Sequence, residues 1–228
     1  MAVKLGKRLR KPLNRFLARH SLISTGRFID PDEVLGLDVL KENWEVIRDE
    51  ALAVVAGNEE VPSLGRISPD HRQIAPDEAW KSFFLNAYGY TAATNRSRCP
   101  RTAEVIDKVP NVVVAFFSIF DTGTRVPPHN GVTKAMLNVH LGLSVPPEKD
   151  ACGIRVDGVV RHWQEGELLV FDETNRHEAW NESSQPRIVL FLQVMRPMDW
   201  LGRLVGKAFL ALVKRTTYVQ DVRKALEV

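Results

Sequence analysis

Val112-Val113-Val114-Ala115-Phe116-Phe117-Ser118-Ile119-Phe120 is an apolar run broken by a single hydroxyl, and similar runs fill the half of the chain that it opens. Residues 135–143, 153–156, 159–163, 167–171 and 187–194 repeat the character, divided by Gly, Pro, Asn and Asp. Short apolar runs bounded by turn residues read as strands. Many of them at close spacing build a sandwich or barrel, and a jelly roll is the natural two-sheet solution. Asp157-Gly158 between two runs signals a tight hairpin. Side chains alternate along a strand, so Asn138, His140 and Gly142 share one face of the 135–143 run and its polar members point together, toward a cavity.

Upstream the pattern is helical. Leu40, Trp44, Ile47, Ala51 and Val54 recur at helical spacing and predict one amphipathic helix over 38–56. Asp30-Pro31-Asp32-Glu33 reads as a helix start, with acids at the positive end of the dipole. The Gly, Pro and Ser content of 57–77 predicts a long loop able to face a substrate. Residues 80–85 read as a strand, and Cys99-Pro100-Arg101-Thr102 opens a short helix to 108.

A chain of 228 residues, 44% hydrophobic, suits a single domain with appended helices. Its 2 cysteines exclude a disulfide framework and carry no zinc-site spacing, which points to a reduced, cytoplasmic protein. Neither a signal-peptide core nor a run of about 18 to 20 apolar residues is seen. The total charge of +3 hides an asymmetry: residues 1–20 hold seven bases and no acid, and residues 201–228 hold six bases against two acids. The body is therefore acidic. Both basic ends interleave apolar residues, as do helices that lie on an anionic membrane, here at its inner face, or that pack an apolar stripe on their own domain.

Candidate chemistry lies in Pro127-Pro128-His129-Asn130-Gly131, in Asn175-Arg176-His177, and in Arg187. His129 stands in a turn just before a strand and His177 just after one, at one mouth of a barrel. Two imidazoles suit iron, yet non-haem Fe(II) sites commonly carry an Asp or Glu two residues after the first His, where this chain has Gly131. This leaves either no metal site or an unusual two-histidine one. Arg187 opens an otherwise apolar strand, and a guanidinium buried there needs an internal acid or a bound carboxylate as partner. His140 is a satisfied core histidine or a second donor to that carboxylate, and Ser118 offers a hydroxyl. His20, His71 and His162 read as surface or structural residues.

Taken together, Pro128-His129-Asn130-Gly131, Val139-His140-Leu141-Gly142-Leu143, Trp163-Gln164-Glu165-Gly166-Glu167, Val170-Phe171-Asp172-Glu173-Thr174, His177-Glu178-Ala179-Trp180-Asn181 and Arg187 resemble the aspartyl/asparaginyl β-hydroxylase family. Asn43-Trp44-Glu45-Val46-Ile47-Arg48-Asp49-Glu50, with Trp80, Phe83 and Leu85, extends the resemblance over about 38–197. It implies a mainly β fold with flanking α-helices, a double-stranded β-helix of the jelly-roll kind, and oxygenases that use Fe(II), 2-oxoglutarate and O2. By the same resemblance His129 and His177 bind iron with glycine in the carboxylate position. Water fills the gap, unless a nearby acid such as Asp172 or Glu178 does. Arg187 would hold the distal carboxylate of 2-oxoglutarate, supported by His140, Ser118 and Trp80. Asn138 stands where the animal peptide hydroxylases have arginine, which removes a cationic contact.

These readings divide the chain into a basic amphipathic segment at 1–27, an oxygenase domain at 28–200 and a basic amphipathic helix at 201–228. The expected reaction is hydroxylation of an unactivated carbon, first the β-carbon of Asp or Asn in a peptide or protein. The alternative is a lipid acyl chain at the membrane surface, reached through the basic termini. A non-catalytic jelly-roll binding module is the competing class. No nucleic-acid partner is expected, since the body is acidic and no stacking or groove-reading motif appears.

Overall fold

Residues 2–57, 59–67, 74–75 and 78–226 are described, in a computed structural model. Each apolar run expected as a strand forms one. The strands are β1 (Phe28–Ile29), β2 (Trp80–Ala87), β3 (Tyr90–Thr91), β4 (Val112–Phe120), β5 (Thr124–His129), β6 (Met136–Ser144), β7 (Cys152–Val156), β8 (Val159–Arg161), β9 (Leu168–Phe171), β10 (His177–Asn181) and β11 (Arg187–Met195). Their order is β1-β9-β6-β11-β4-β2-β3 in the larger sheet and β5-β10-β7-β8 in the smaller. From β4 onward the chain passes back and forth between the sheets, which is the winding of a double-stranded β-helix. The hairpin at Asp157-Gly158 is present, and both residues have positive φ, 47° and 85°, as a type I′ turn requires.

Burial on both faces explains why β4, β6 and β11 read as continuous apolar runs rather than as alternating ones. One face of the larger sheet, with Phe117, Leu141 and Leu190, packs on α3 (Trp44–Ala56) and α6 (Pro100–Lys108) through Ile47 and Ile106. The opposite face, with Phe116, Val126 from the smaller sheet, and Phe191, closes the space between the sheets. Polar exceptions on these strands fall on the inner face: Ser118, Asn138, His140, Arg187 and Gln193 all line the cavity between the sheets.

Three local expectations differ. The helix over 38–56 is two, α2 (Asp38–Glu42) and α3, because Asn43 leaves helical geometry and its side-chain amide donates to the Val39 carbonyl at 2.8 Å. The 57–77 stretch contains a short helix, α4 (Leu64–Ile67), while much of the rest, including His71, lies outside the described residues. The 201–228 segment holds α7 (Trp200–Val213) and α8 (Thr217–Leu226). Val219 and Val222 of α8 are buried in the same cluster as Leu64 and Tyr88, so this end of the chain packs back on the body. At the other end α1 (Ala2–Arg19) buries Leu17 against Ala135 and Met198.

A buried ionic cluster ties the frame together near the cavity. Asp172, just past β9, accepts from Arg196 at 2.6 Å and from Lys134 at 2.5 Å, and Arg196 also donates to the Lys134 and Ser24 carbonyls. Both Asp172 and Arg196 side chains are fully buried. Removing one member of such a set strands the others without solvent. Asp172→Ala should therefore lower stability by about 3–5 kcal/mol, read in urea as a fall in midpoint with an unchanged slope; a loss within experimental error would refute the role of the cluster.

Candidate active site

Cross-strand register places the two histidines side by side. His129 ends β5, His177 begins β10, and the two residues are direct partners in the antiparallel pair, with ring centroids 4.1 Å apart. Each ring is held by its own backbone: His129 Nδ1 lies 2.9 Å from the Pro127 carbonyl, and His177 Nδ1 lies 2.9 Å from the Asn175 carbonyl. A carbonyl can only accept, so both Nδ1 atoms carry the proton and both Nε2 atoms keep a lone pair. Burial lowers both pKa values, and with His129 beside it His177 falls to about 4. The pair is therefore neutral at neutral pH, the form that binds metals.

The larger sheet supplies the opposite wall. Arg187 is 1% exposed, its guanidinium sits 3.6 Å from the Phe120 ring centre and 4.5 Å from that of Trp163, and among the described residues no carboxylate pairs with it. Its Nε is buried without a hydrogen-bond partner. Burial brings its pKa down to about 9, so it stays charged at neutral pH. His140 completes the pattern. Trp163 Nε1 donates to His140 Nδ1 at 3.1 Å, which leaves the proton of this neutral ring on Nε2, and that atom too is buried without a partner. Burial, with the Arg187 charge beside it, holds the His140 pKa well below its ordinary value. Trp80 Nε1 donates to Ser118 Oγ at 3.0 Å, so the Ser118 hydroxyl proton remains available. Unsatisfied donors around a buried cation are what a carboxylate ligand answers.

Space for the ligand is the cavity between the sheets, which His129, His177, His140, Ser118, Trp80 and Arg187 all line. Asn138 lines it as well, but bonds elsewhere: its Oδ1 accepts from Gln193 Nε2 at 3.1 Å, and Gln193 Nε2 also donates to Glu173 Oε2 at 3.0 Å.

Glu173 is the acid that sequence reasoning missed. Asp172 belongs to the ionic cluster, and Glu178 pairs with Arg155, so neither candidate acid faces the gap. Glu173 does. Its Oε1 accepts from Val132 N, its own carbonyl accepts from Gly131 N, and a Cβ built on Gly131 would collide with its carboxyl carbon. Burial raises its pKa to about 7. The alternation of β9 counted two residues past its end carried the signal: Phe171 and Glu173 line the cavity while Asp172 turns to the ionic cluster. The same parity with Arg187, Val189 and Phe191 marks Gln193. Among the described residues no three His, Cys, Asp or Glu side chains gather as a ligand set, so the imidazole pair stands as two.

The Arg187 guanidinium donates to the Ser118 carbonyl at 3.4 Å and lies over two rings, but without a carboxylate partner its buried charge weakens the ligand-free fold. Arg187→Met should raise stability by about 1 kcal/mol, or roughly 2–4 °C in Tm for a chain of this size; a drop of several degrees by calorimetry would show that an internal partner already satisfies it.

The profile of the family described as "Aspartyl/Asparaginyl beta-hydroxylase" matches residues 41–197. The "Ornithine lipid ester-linked acyl 2-hydroxylase" of Rhizobium tropici is 37% identical over 182 residues, covering 80% of this chain and 65% of that protein. The "Aspartyl/asparaginyl beta-hydroxylase" of Homo sapiens is 32% identical over 163 residues, covering 69% of this chain and 21% of that protein. The chain thus spans less than two thirds of either relative. Among solved structures, KdgF from Halomonas sp. aligns with a TM-score of 0.35 at 14% identity, over 53% of this chain and 82% of that one. The matched span runs from the helices behind the larger sheet to the last strand and holds His129, His177, His140 and Arg187: the chain belongs to the aspartyl/asparaginyl β-hydroxylase family, as a mainly β jelly roll with flanking helices.

Proposed function

We propose that this chain is an Fe(II)- and 2-oxoglutarate-dependent hydroxylase whose substrate carbon lies on a lipid acyl chain. One observation carries the cofactor reading. The two free Nε2 lone pairs of His129 and His177 line the same cavity as a buried Arg187 with no carboxylate partner and a His140 Nε2–H without an acceptor. A divalent metal fits the first pair and a dicarboxylate fits the second. Iron with 2-oxoglutarate and O2, when bound, supplies oxidation of an unactivated C–H bond, which no side chain here can perform.

The chain's own residues then have separable tasks. His129 and His177 hold the metal, each fixed in one tautomer by its backbone carbonyl. Arg187, its guanidinium set against the Phe120 and Trp163 rings, binds the distal carboxylate. His140 Nε2–H and the Ser118 hydroxyl donate to that end, and Trp80 orients the hydroxyl. Glu173 keeps a carboxyl group beside Gly131, where the family resemblance puts water.

The cavity wall favours the acyl chain over the Asp or Asn side chain expected first. Leu64, Ile74, Val114 and Val126 line it beside the stacked rings of Phe84, Phe116 and Phe191, whose centroids are 4.7 and 4.5 Å apart in succession. Arg187 is the one cation among its described lining residues, and the cosubstrate occupies it. A substrate carboxylate would then meet no second positive charge, whereas methylenes gain from each apolar contact. The R. tropici relative, named for an acyl hydroxylation, fits the same reading.

Anaerobic loading with Fe(II), followed by succinate release on admitting air, tests this. Acyl lipids of the ornithine-lipid type should raise turnover, and Asp- or Asn-containing peptides should not. His177→Ala should remove turnover, at least about 10³-fold, and Arg187→Met should raise the KM for 2-oxoglutarate by about 10–100-fold. Wild-type turnover in His177→Ala would eliminate the metal assignment, and stimulation by peptides alone would eliminate the acyl one.

A further inference from the structure

α7 shows solvent a face that its own packing does not use. Trp200, Leu204 and Leu212 are 69%, 60% and 65% exposed, and Ala208 between them is exposed too. Four-residue spacing aligns these side chains in a row. Arg203 and Lys207 are exposed along the same helix, and α7 contains no acid. Its buried side carries Gly202 and Gly206 instead: a Cβ on Gly202 would strike His20 and Met198, and one on Gly206 would crowd Met195. The helix is thus seated closely on the body by its glycines and by Val205, Leu210 and Val213, while Trp200, Leu204 and Leu212 point outward.

The surroundings extend this chemistry. α1 packs beside α7, and its Lys11, Arg15 and Arg19 are exposed at four-residue spacing, again with no acid in the helix. A groove lined by Arg203 and Lys207 is also lined by Leu22 and Leu35, which are 69% and 82% exposed. Apolar side chains with an aromatic at the margin, ringed by cations whose stems can lie flat, match a lipid headgroup layer of negative charge. The acidic remainder of the chain would be repelled by that layer, which orients the approach.

This surface is connected to the site. Arg10 of α1 donates to the Gly131 carbonyl, Asn14 donates to the Val132 carbonyl at 3.2 Å, and Asn14 accepts from Lys134 N at 3.0 Å. The segment that follows His129 is therefore held by one of the two helices that carry the cations. We propose that the outer face of α7, with the adjoining cationic row of α1, docks the protein on an anionic bilayer. That docking presents an acyl chain to the cavity rests on the acyl reading above; the docking does not.

Co-sedimentation of the full chain with vesicles of phosphatidylcholine, with and without phosphatidylglycerol, decides it. Binding should need the anionic lipid and weaken with salt. Arg203→Glu with Lys207→Glu should weaken it by at least about tenfold, and Trp200→Ser with Leu204→Ser should also weaken it, all at unchanged Tm because these positions are exposed. Absent binding, equal binding to neutral vesicles, or undiminished binding by all four substitutions together would overturn the proposal. So would a dimer in solution that the α7 substitutions dissociate, since a second copy of the chain would then be what covers the face. Succinate release without lipid should be the same in these variants as in the wild type. Loss of acyl turnover with intact vesicle binding would count against the substrate assignment and leave the docking surface standing.

Discussion

Opposition of His177 to His129 across the β5–β10 pair is the constraint on which the rest of the site depends. A slip of one residue in either strand would turn one imidazole to the other face of the sheet, because side chains alternate. The register is held from three directions. β7 pairs with the far edge of β10 and is itself fixed by the type I′ turn at Asp157-Gly158. An irregularity between His177 and Ala179 adjusts β10 to β5 just past the histidine. The ionic cluster on Asp172 anchors the chain as it leaves β9, five residues before His177.

The two sheets divide the work. Imidazoles come from the smaller sheet, while the buried guanidinium and the orphaned His140 donor come from adjacent strands of the larger one, which is itself covered by α3 and α6 on its other side. That cover lets the larger sheet tolerate polar groups inside. Its apolar burial on two faces offsets a charged residue and two donors left without partners, a local cost typical of ligand sites held ready on a rigid frame. The metal and cosubstrate roles proposed for these residues follow from that mismatch between what is buried and what is satisfied.

Much of this was legible in the chain. Turn-bounded apolar runs located the long strands, and strand parity placed Asn138 and His140 on the cavity face. β5 and β10 are not legible, since Thr124-Arg125-Val126-Pro127-Pro128-His129 carries prolines and His177-Glu178-Ala179-Trp180-Asn181 is largely polar, as loops are; the smaller sheet leaves part of these strands exposed. The break at Asn43 was hidden because apolar spacing continues through it, and only the side-chain bond to Val39 reveals it. Asp172 and Glu173 are adjacent acids that composition treats alike. Their fates differ because one points into a cage of cations and the other into the cavity.

Residue 131 lacks a side chain because residue 173 already fills the volume that one would need. A side chain arriving at residue 131 would have to displace the Glu173 carboxyl group from the volume it fills. Two positions forty-two residues apart in the chain thus share one volume at the mouth of the cavity, and the size of one side chain sets the room left for the other.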